Sequence, residues 1–546
     1  MKKILLSMLL ILLLLVAAVW PHRGEWLLRA VIGLDNLRHP VAENQPVHWR
    51  QGEAAPGDQR PNVILIVADD LGFNDISFHR GEQATLPTPA IDALASQGVS
   101  FSSAYAGNAV CAPSRAMLMT GRYSTRFGFE FTPAPRSFAK MFKILPQPPG
   151  ALHPPEVDMA AVDRLPPFQS LGMPGEEITL AEQLQAAGYH TLHIGKWHLG
   201  RDQGMRPEHQ GFDESLLMES GLYLPVDDPQ VVNARQGFDP LDRAIWLRMR
   251  YAASYNGSQP FAPSGYLTDY YTDQAVSAIA ANKDRPFFLY LAHWGVHSPL
   301  QALKADYDAL SHIQDHRLRV YSAMLRALDR SVSRVMQSLV DNGIDDNTLV
   351  IFTSDNGAPG YLGLPDLNAP FRGWKLSFFE GGVRVPFYLR WPKQLSSGLQ
   401  YDAPVSHLDV FATVAAAVGI ALPQDRVMDS VNLLPYVNAD IQGPPHDAIF
   451  WREGAYQGMR AGDWKLMRSP KPRKIWLYNL KDDPLEAQNL AAEYPQQVAD
   501  MAAQLDEHNR QQQPSRWPSI VSLPVLIDKT MADPASAEDE YIYWPN

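Results

Sequence analysis

Four short, largely apolar stretches of the chain each end abruptly in polar residues. Asn62-Val63-Ile64-Leu65-Ile66-Val67-Ala68 is bounded by Pro61 and by Asp69-Asp70, and Thr191 to Gly195 runs straight into Lys196-Trp197-His198. Pro286-Phe287-Phe288-Leu289-Tyr290-Leu291-Ala292 leads to His293 and then His297, and Thr348-Leu349-Val350-Ile351-Phe352-Thr353 leads to Asp355-Asn356-Gly357. Continuous apolar runs of this length read as strands buried on both faces, the habit of a parallel sheet. Helical patterns fall between them. Thr88-Pro89 starts one that Gly98 stops, and Thr179 with Glu182 forms a capping box for one ending near Gly188. A third, from about Tyr321 to Asn342, places Leu325, Leu328, Val332, Val335 and Leu339 on one face, with Gly343 as its stop. The pattern is that of an α/β fold. Its ionisable residues recur just beyond the C-terminal ends of four strands, the edge at which open parallel sheets bind ligands.

Elsewhere the periodicity is weaker. The stretches 131–174 and 201–263 exceed ordinary loop lengths and are rich in Pro, Gly and aromatics, which points to a substrate-facing rim, with plain insertions as the alternative. From about His446 shorter alternating segments take over. Ala455 to Arg460 and Trp464 to Met467 flank Gly462-Asp463 like a hairpin, Ile475 to Tyr478 reads as a third strand, and a helix follows from about Pro495 to Glu507. The aromatic, Pro-rich segment from about Pro514 is expected to pack back on the body. The resulting organisation is an export signal or membrane anchor at 1–24, a polar linker at 25–60, a catalytic domain at 61–440, and a C-terminal subdomain with a tail at 441–546.

Composition narrows the function. At 546 residues, 46% hydrophobic and 19% charged, the chain has ample material for one large domain and a smaller one. A net charge of -12 argues against a nucleic-acid partner, since no basic field exists to draw in phosphates. An anionic substrate must then be attracted by a local cationic pocket, because charges further apart than roughly 8–10 Å are screened. Lys2 and Lys3 precede an apolar run from Ile4 to Trp20 interrupted only by Ser7. The run exceeds the ~7–15 residues of a signal's apolar region, so it reads as an export signal or as an uncleaved anchor. Trp26 to Leu34 is apolar enough to lie against a membrane. Either reading puts the body outside the cytoplasm, periplasmic, secreted or lumenal.

The chemistry rests on a few residues. Asp69, Asp70, Asp355 and Asn356 offer oxygen donors alone. An isolated Asp-Asp after a strand is ordinarily a cap or turn, but two acidic clusters on neighbouring strand ends would repel without a cation. The match is a hard divalent ion, calcium with its flexible shell of about 6–8 oxygens being preferred and magnesium the alternative. Arg115, Lys196 and Lys375 are the candidate cations, with His198 and His297 beside them; His293, His407 and Trp374 read as structural or peripheral. Taken singly, each lysine is a solvated surface charge. Together with three aspartates and one divalent ion, the three cations leave a net of plus two, the sign that suits a sulfate or phosphate ester. Cys111 is the chain's single cysteine, hence either a small buried hydrophobe or a reactive group. Pro113 restricts Ala112 towards extended geometry and the run from Ser114 to Thr120 has helical composition, which puts Cys111 at a loop-to-helix entrance.

Cys111-Ala112-Pro113-Ser114-Arg115, continued by Leu118, Thr120, Gly121 and Arg122, resembles the modification motif of the formylglycine-dependent sulfatases. Gly195-Lys196-Trp197-His198-Leu199-Gly200, Val296-His297-Ser298-Pro299-Leu300-Gln301 and Arg372-Gly373-Trp374-Lys375 resemble further motifs of that family, in its order, across roughly residues 60 to 490; the stretch from Val296 to Gln301, and the pairing of Gly195–Gly200 with Cys111–Arg115, look closest to the arylsulfatase B, or N-acetylgalactosamine 4-sulfatase, group. The resemblance implies an alkaline-phosphatase-like α/β sandwich, with a large mostly parallel sheet flanked by helices and a small C-terminal α/β subdomain carrying an antiparallel sheet. It implies that a formylglycine-generating enzyme oxidises Cys111 to an aldehyde before folding, and that Asp69, Asp70, residue 111, Asp355 and Asn356 hold the cation. By the same resemblance Arg115 supports the aldehyde hydrate, whose hydroxyl attacks sulfur. Lys196, His297 and Lys375 bind sulfate, with His297 or Lys375 protonating the leaving alcohol, and His198 takes the proton from the second hydroxyl, expelling sulfate. The substrate is then a sulfated aryl compound or saccharide. Two rival readings are a phosphonate monoester hydrolase or phosphodiesterase on the same scaffold, and a binding protein whose cysteine is unmodified.

Overall fold

The computed structural model describes residues 33, 38–53, 57–144, 152–202 and 204–546. The apolar run expected as an export signal or anchor lies outside the described residues, as does the segment from Trp26 to Leu34 apart from Gly33. Among the described residues no helix is long and apolar enough to cross a membrane.

A nine-stranded sheet organises the chain. Its strands are β1 (Asn62–Ala68), β2 (Val99–Phe101), β3 (His190–Gly195), β4 (Glu214–Gly221), β5 (Tyr251–Tyr255), β6 (Phe287–Ala292), β7 (Thr348–Ser354), β8 (Phe387–Arg390) and β9 (Leu399–Tyr401). They lie in the order β9-β2-β8-β7-β1-β6-β3-β4-β5. The five central strands, β7-β1-β6-β3-β4, are mutually parallel, while β5 and β8 pair antiparallel to their neighbours. The four apolar stretches singled out in the sequence are the four adjacent strands β7, β1, β6 and β3, which is why they carry no polar face.

Alternation along β1 feeds two separate cores. Val63, Leu65 and Val67 point into one, and Ile64, Ile66 and Ala68 into the other. Helix α1 (Pro89–Ser96) covers the second core together with α4 (Leu267–Asn282) and α5 (His316–Asp341), through Ile91, Ala275 and Val332. Helices α2 (Cys111–Thr120), α3 (Leu180–Ala186) and α6 (Asp409–Val418) cover the first, through Ala116, Leu184 and Val414. The result is an α/β sandwich. Thr179 and Glu182 close the expected capping box on α3. Helix α5 begins five residues before the sequence suggested, because Asp315 caps it by accepting from the Leu318 N–H at 2.8 Å.

The two long irregular stretches are mostly structural. Residues 201–263 contribute strands β4 and β5 and a helix at Pro240–Arg248. Of 131–174, Phe142, Val162, Leu165 and Leu171 are buried in the first core, so the substrate-rim expectation fails for those positions. Residues 38–53, polar in composition, lie along the body: the Trp49 indole donates to Gln274 at 3.1 Å, and the Arg50 N–H donates to Glu214 at 3.0 Å.

The C-terminal region forms a four-stranded antiparallel sheet from Ile449–Glu453, Tyr456–Ala461, Trp464–Pro470 and Arg473–Asn479. One face packs on helix α7 (Pro495–Arg510) through Met501 and Leu505. Its other face, with Trp451, Tyr456 and Trp476, packs on Tyr105, Phe378 and Phe379 of the large domain. The tail returns to the body, where Val521–Leu526 pairs with Tyr541–Pro545 and with Glu156–Val157.

Candidate active site

Strand register builds the site. Ala68 pairs with Ser354, so Asp69 and Asp355 leave the sheet side by side; Gly195 pairs with Ala292, so Lys196 leaves at the same level. A side chain at Gly195 would meet the Ala292 carbonyl at 2.0 Å, and its φ of 108° favours glycine. Asp70 and His198, just beyond strand ends, and Leu376, beside Lys375, have left-handed backbone, with φ of 60°, 65° and 77°. Such conformations cost about 1–2 kcal/mol per residue and gather where side chains must be aimed.

Cys111 is the first residue of α2, so the helix starts three residues earlier than composition suggested. Pro113 is tolerated there because a first-turn N–H has no partner within the helix to lose. All ten residues of α2 are buried, and Cys111 is 2% exposed. Its Sγ lies 3.1 Å from Lys375 Nζ, 3.6 Å from Asp69 Oδ1 and 3.8 Å from Asp70 Oδ1. Burial, reinforced by Asp355, pushes the thiol pKa well up, so the cysteine itself is a poor nucleophile.

Six buried charges surround it. Arg115 donates to Asp355 Oδ2 at 2.8 Å and to Asp69 Oδ2 at 3.1 Å, and Lys196 Nζ sits 2.5 Å from the same Asp69 oxygen. Lys375 Nζ donates to Asp70 Oδ1 at 2.6 Å. Burial and the neighbouring Asp355 push the Asp69 carboxyl up to about 6. Burial acts the same way on Asp70 and Asp355, but Lys375 and His297 hold the first, and Arg115 and Lys196 the second, below the usual carboxylate range. Three carboxylates therefore meet three cations in a deeply buried site.

His297 stacks on Trp294 at 3.9 Å, its Nδ1 lies 2.6 Å from the Ser298 carbonyl, and its Nε2 lies 3.5 Å from Asp70 Oδ2. Burial pushes its pKa down to about 3. Burial, Lys196 and Arg115 hold His198 well below its ordinary value, and its buried Nδ1 has no hydrogen-bond partner among the described residues. Burial thus favours the neutral form of both imidazoles, the form in which His198 can accept a proton.

The donors fit a hard cation. Asn356 Nδ2 donates to Asp70 Oδ1 at 2.8 Å, while Asn356 Oδ1 is buried with no partner among the described residues. Ligand atoms of Asp69, Asp70, Cys111 and His297 lie within 4.8 Å of one another. Asp355, expected as a further ligand, stands beside them, its Oδ1 accepting from the Asp70 N–H at 3.2 Å and its Oδ2 from Arg115. All ten residues singled out in the sequence lie at this one sheet edge.

Several neighbours carried no sequence signal. Tyr361 donates to Asp70 Oδ2 at 2.9 Å, Tyr290 pairs with Arg115 at 3.1 Å, and Trp294 lies 4.8 Å from Lys196 Nζ. The loop 372–384 that carries Lys375 is pinned from the C-terminal region. Tyr456 accepts from the Phe378 N–H at 2.8 Å, and Glu486 accepts from the Glu380 N–H at 2.7 Å. Lys465, fully buried, bridges Glu380 and Glu486 at 2.7 and 2.9 Å. Against Asn356 the loop approaches so closely that a side chain at Gly357 would meet the Gly381 carbonyl at 1.9 Å.

Comparison with known proteins agrees with this geometry. The Sulfatase family model matches residues 61–420, and the model described as N-sulphoglucosamine sulphohydrolase, C-terminal, matches 373–514. The chain is 34% identical to N-acetylgalactosamine-6-sulfatase of Canis lupus familiaris, over 70% of this chain and 67% of that protein. It is 29% identical to steryl-sulfatase of Homo sapiens, over 78% and 77%. The crystal structure of Ps i-CgsB in complex with k-i-k-neocarrahexaose superposes with a TM-score of 0.70 at 29% identity, covering 84% of this chain and 94% of that one. With its strand-end carboxylates and cations converging on Cys111, this chain belongs to the sulfatase family and is a sulfate ester hydrolase.

Proposed function

We propose that this enzyme hydrolyses sulfate monoesters of saccharides, with residue 111 in the formylglycine form and with calcium at the carboxylate cluster. The observation that carries the reading is the convergence of Lys375, Lys196 and Arg115 on residue 111, beside the partnerless Asn356 Oδ1. Support for a saccharide comes from the N-acetylgalactosamine-6-sulfatase relatives and from the neighbour bound to a neocarrahexaose. The N-terminal Lys2-Lys3 and the apolar run behind them support export.

Asp69, Asp70, Asn356 and residue 111, with Asp355 beside them, would hold the cation, which supplies Lewis-acid stabilisation of charge developing on sulfate oxygen. The aldehyde, as its hydrate, supplies a hydroxyl nucleophile where the buried thiol cannot. The chain's own residues do the rest. Lys196 and Lys375 neutralise the sulfate as it enters, and they are preorganised by Asp69 and Asp70. Arg115, tied to both Asp69 and Asp355, fixes the first turn of α2. His297 carries its proton on Nδ1, bound to the Ser298 carbonyl, so it presents a lone pair at Nε2; Lys375 is then the group that protonates the departing alcohol. His198, neutral with a free Nδ1, is the base for product release.

Mass spectrometry of the peptide containing residue 111, paired with turnover of aryl sulfate, saccharide sulfate and aryl phosphonate, tests this. The expected result is an aldehyde at residue 111 and kcat/KM highest for saccharide sulfate. A thiol at full activity, or faster turnover of phosphonate, would overturn it.

A further inference from the structure

A cavity of about 310 Å³ opens at the same sheet edge. Its walls come from the loop after β1, the loop after β7 and the first turns of α5. Because α5 runs antiparallel to the strands it joins, its N-terminus lies at the catalytic edge. The cavity and the centre share the loop after β7: Tyr361, which donates to Asp70, is two residues from Gly363 in the cavity wall. The loop after β1 connects them again, since Asp75 in the cavity accepts from the Gly72 N–H at 2.9 Å, two residues beyond Asp70.

The lining mixes donors, acceptors and apolar faces. Arg317 lies over the Phe238 ring at 5.1 Å and donates to the Leu362 carbonyl at 3.3 Å; Arg80 donates to the Asp366 carbonyl at 3.2 Å. Among the described residues neither guanidinium is within ion-pair distance of a carboxylate. Asp315 and Asp366 add acceptors, and Tyr321 and Leu364 add apolar surface. The two arginines face three aspartates, Asp75, Asp315 and Asp366, so the lining has no excess of positive charge and suits hydroxyl groups rather than a second anionic group. Its volume is at the lower end of the ~300–1,000 Å³ range of ligand sites, space for one sugar ring.

We propose that this cavity binds a neutral, hydroxyl-rich sugar unit next to the sulfated one, so that the enzyme prefers an oligosaccharide sulfate over a monosaccharide sulfate. The proposal rests on the saccharide reading above. Arg317 and Arg80 supply the donors that read the ring hydroxyls, and neither belongs to the catalytic cluster.

The test compares galactose 4-sulfate with neocarrabiose 4-sulfate, which adds one neutral sugar, on the wild type, Arg317→Gln and Arg80→Gln. In each variant KM for the disaccharide should rise about tenfold, with kcat/KM for the monosaccharide and for 4-nitrophenyl sulfate within twofold of wild type. Equal losses on all three substrates, or no loss on the disaccharide, would overturn the cavity assignment. Saturation-transfer NMR with unsulfated neocarrabiose reads the cavity without turnover: signals in the wild type that weaken in Arg317→Gln support the site, and their absence in the wild type sinks it. A wild type that turns over none of the sulfates yet shows the NMR signals refutes the sulfate-ester reading alone.

Discussion

Lys375 Nζ lies 3.1 Å from Cys111 Sγ while donating to Asp70 Oδ1 at 2.6 Å. The ammonium is thus fixed at the reacting residue by a carboxylate that belongs to the cation cluster. Lys375→Met keeps the stem and removes the charge, so kcat/KM for a sulfate ester should fall on the order of 10²–10³-fold, the loss typical of one preorganised donor. Steady-state kinetics check this, with near-UV circular dichroism confirming the fold. Turnover within threefold of wild type would remove Lys375 from the mechanism.

Asp355 supports Arg115 and the Asp70 backbone. Asp355→Asn should lower both turnover and bound metal, measured on the same preparation by elemental analysis. Asp355→Ala should in addition lower stability by about 3–5 kcal/mol in denaturant titration, because it leaves the Arg115 guanidinium short of a buried partner. Retained activity in metal-free protein would refute the coordination proposal.

His198→Ala should separate the two halves of the reaction. Loss of the base leaves the first step intact, so a rapid release of about one equivalent of alcohol per enzyme should precede arrested turnover in stopped-flow assays. Steady turnover at the wild-type rate, with no burst, would show that another group takes the proton.

Tyr456 acts through the loop that carries Lys375. Tyr456→Phe leaves the Phe378 N–H without its acceptor and should reduce kcat about tenfold, with a smaller change in KM, since displacement of a positioned group is felt mainly in the transition state. Glu486→Gln retains an acceptor for the Glu380 N–H and should retain more activity than Glu486→Ala. Identical losses in those two variants would argue for a purely structural role.

His446 links stability to pH away from the site. Its Nε2 lies 2.8 and 2.9 Å from the two Asp409 oxygens; burial opposes protonation, but Asp409 outweighs it and raises the pKa. The folded state therefore binds this proton more tightly than the unfolded chain. The contribution is complete below about pH 6.5 and fades as pH rises through the folded pKa. His446→Gln should lower Tm at pH 5.5 and much less at pH 9, by calorimetry. An equal drop at both would exclude the linkage.

The parts of this molecule legible in its sequence are those in which composition alone fixes the environment. Strands β1, β3, β6 and β7 are buried on both faces, so their apolar runs are unmistakable, and the residues that end them fall at the functional edge. Tyr361, Tyr290 and Trp294 were not legible because their roles depend on which loops meet in space, and an aromatic residue looks the same beside a carboxylate as in a core. The start of α2 was misplaced because Pro113 discourages helix at the preceding residue, yet occupies a position where its missing N–H costs nothing. The short strands β2 and β9, at one side of the sheet, hold three residues each, too few to show a period.

The tail has a bearing on timing. Trp517, Ile520, Val521, Leu523 and Trp544 belong to the same core as Phe129, Val162 and Leu171, beneath which α2 is sealed. That core is not complete until residue 544 has been made, roughly 430 residues after position 111, which at ~5–20 residues per second is on the order of 20–90 s. Throughout that interval residue 111 belongs to an unfinished layer. The pace at which the rest of the chain is delivered, by synthesis and export, rather than the equilibrium stability of the finished protein, then bears on how long the cysteine stays within reach of anything that must act on it.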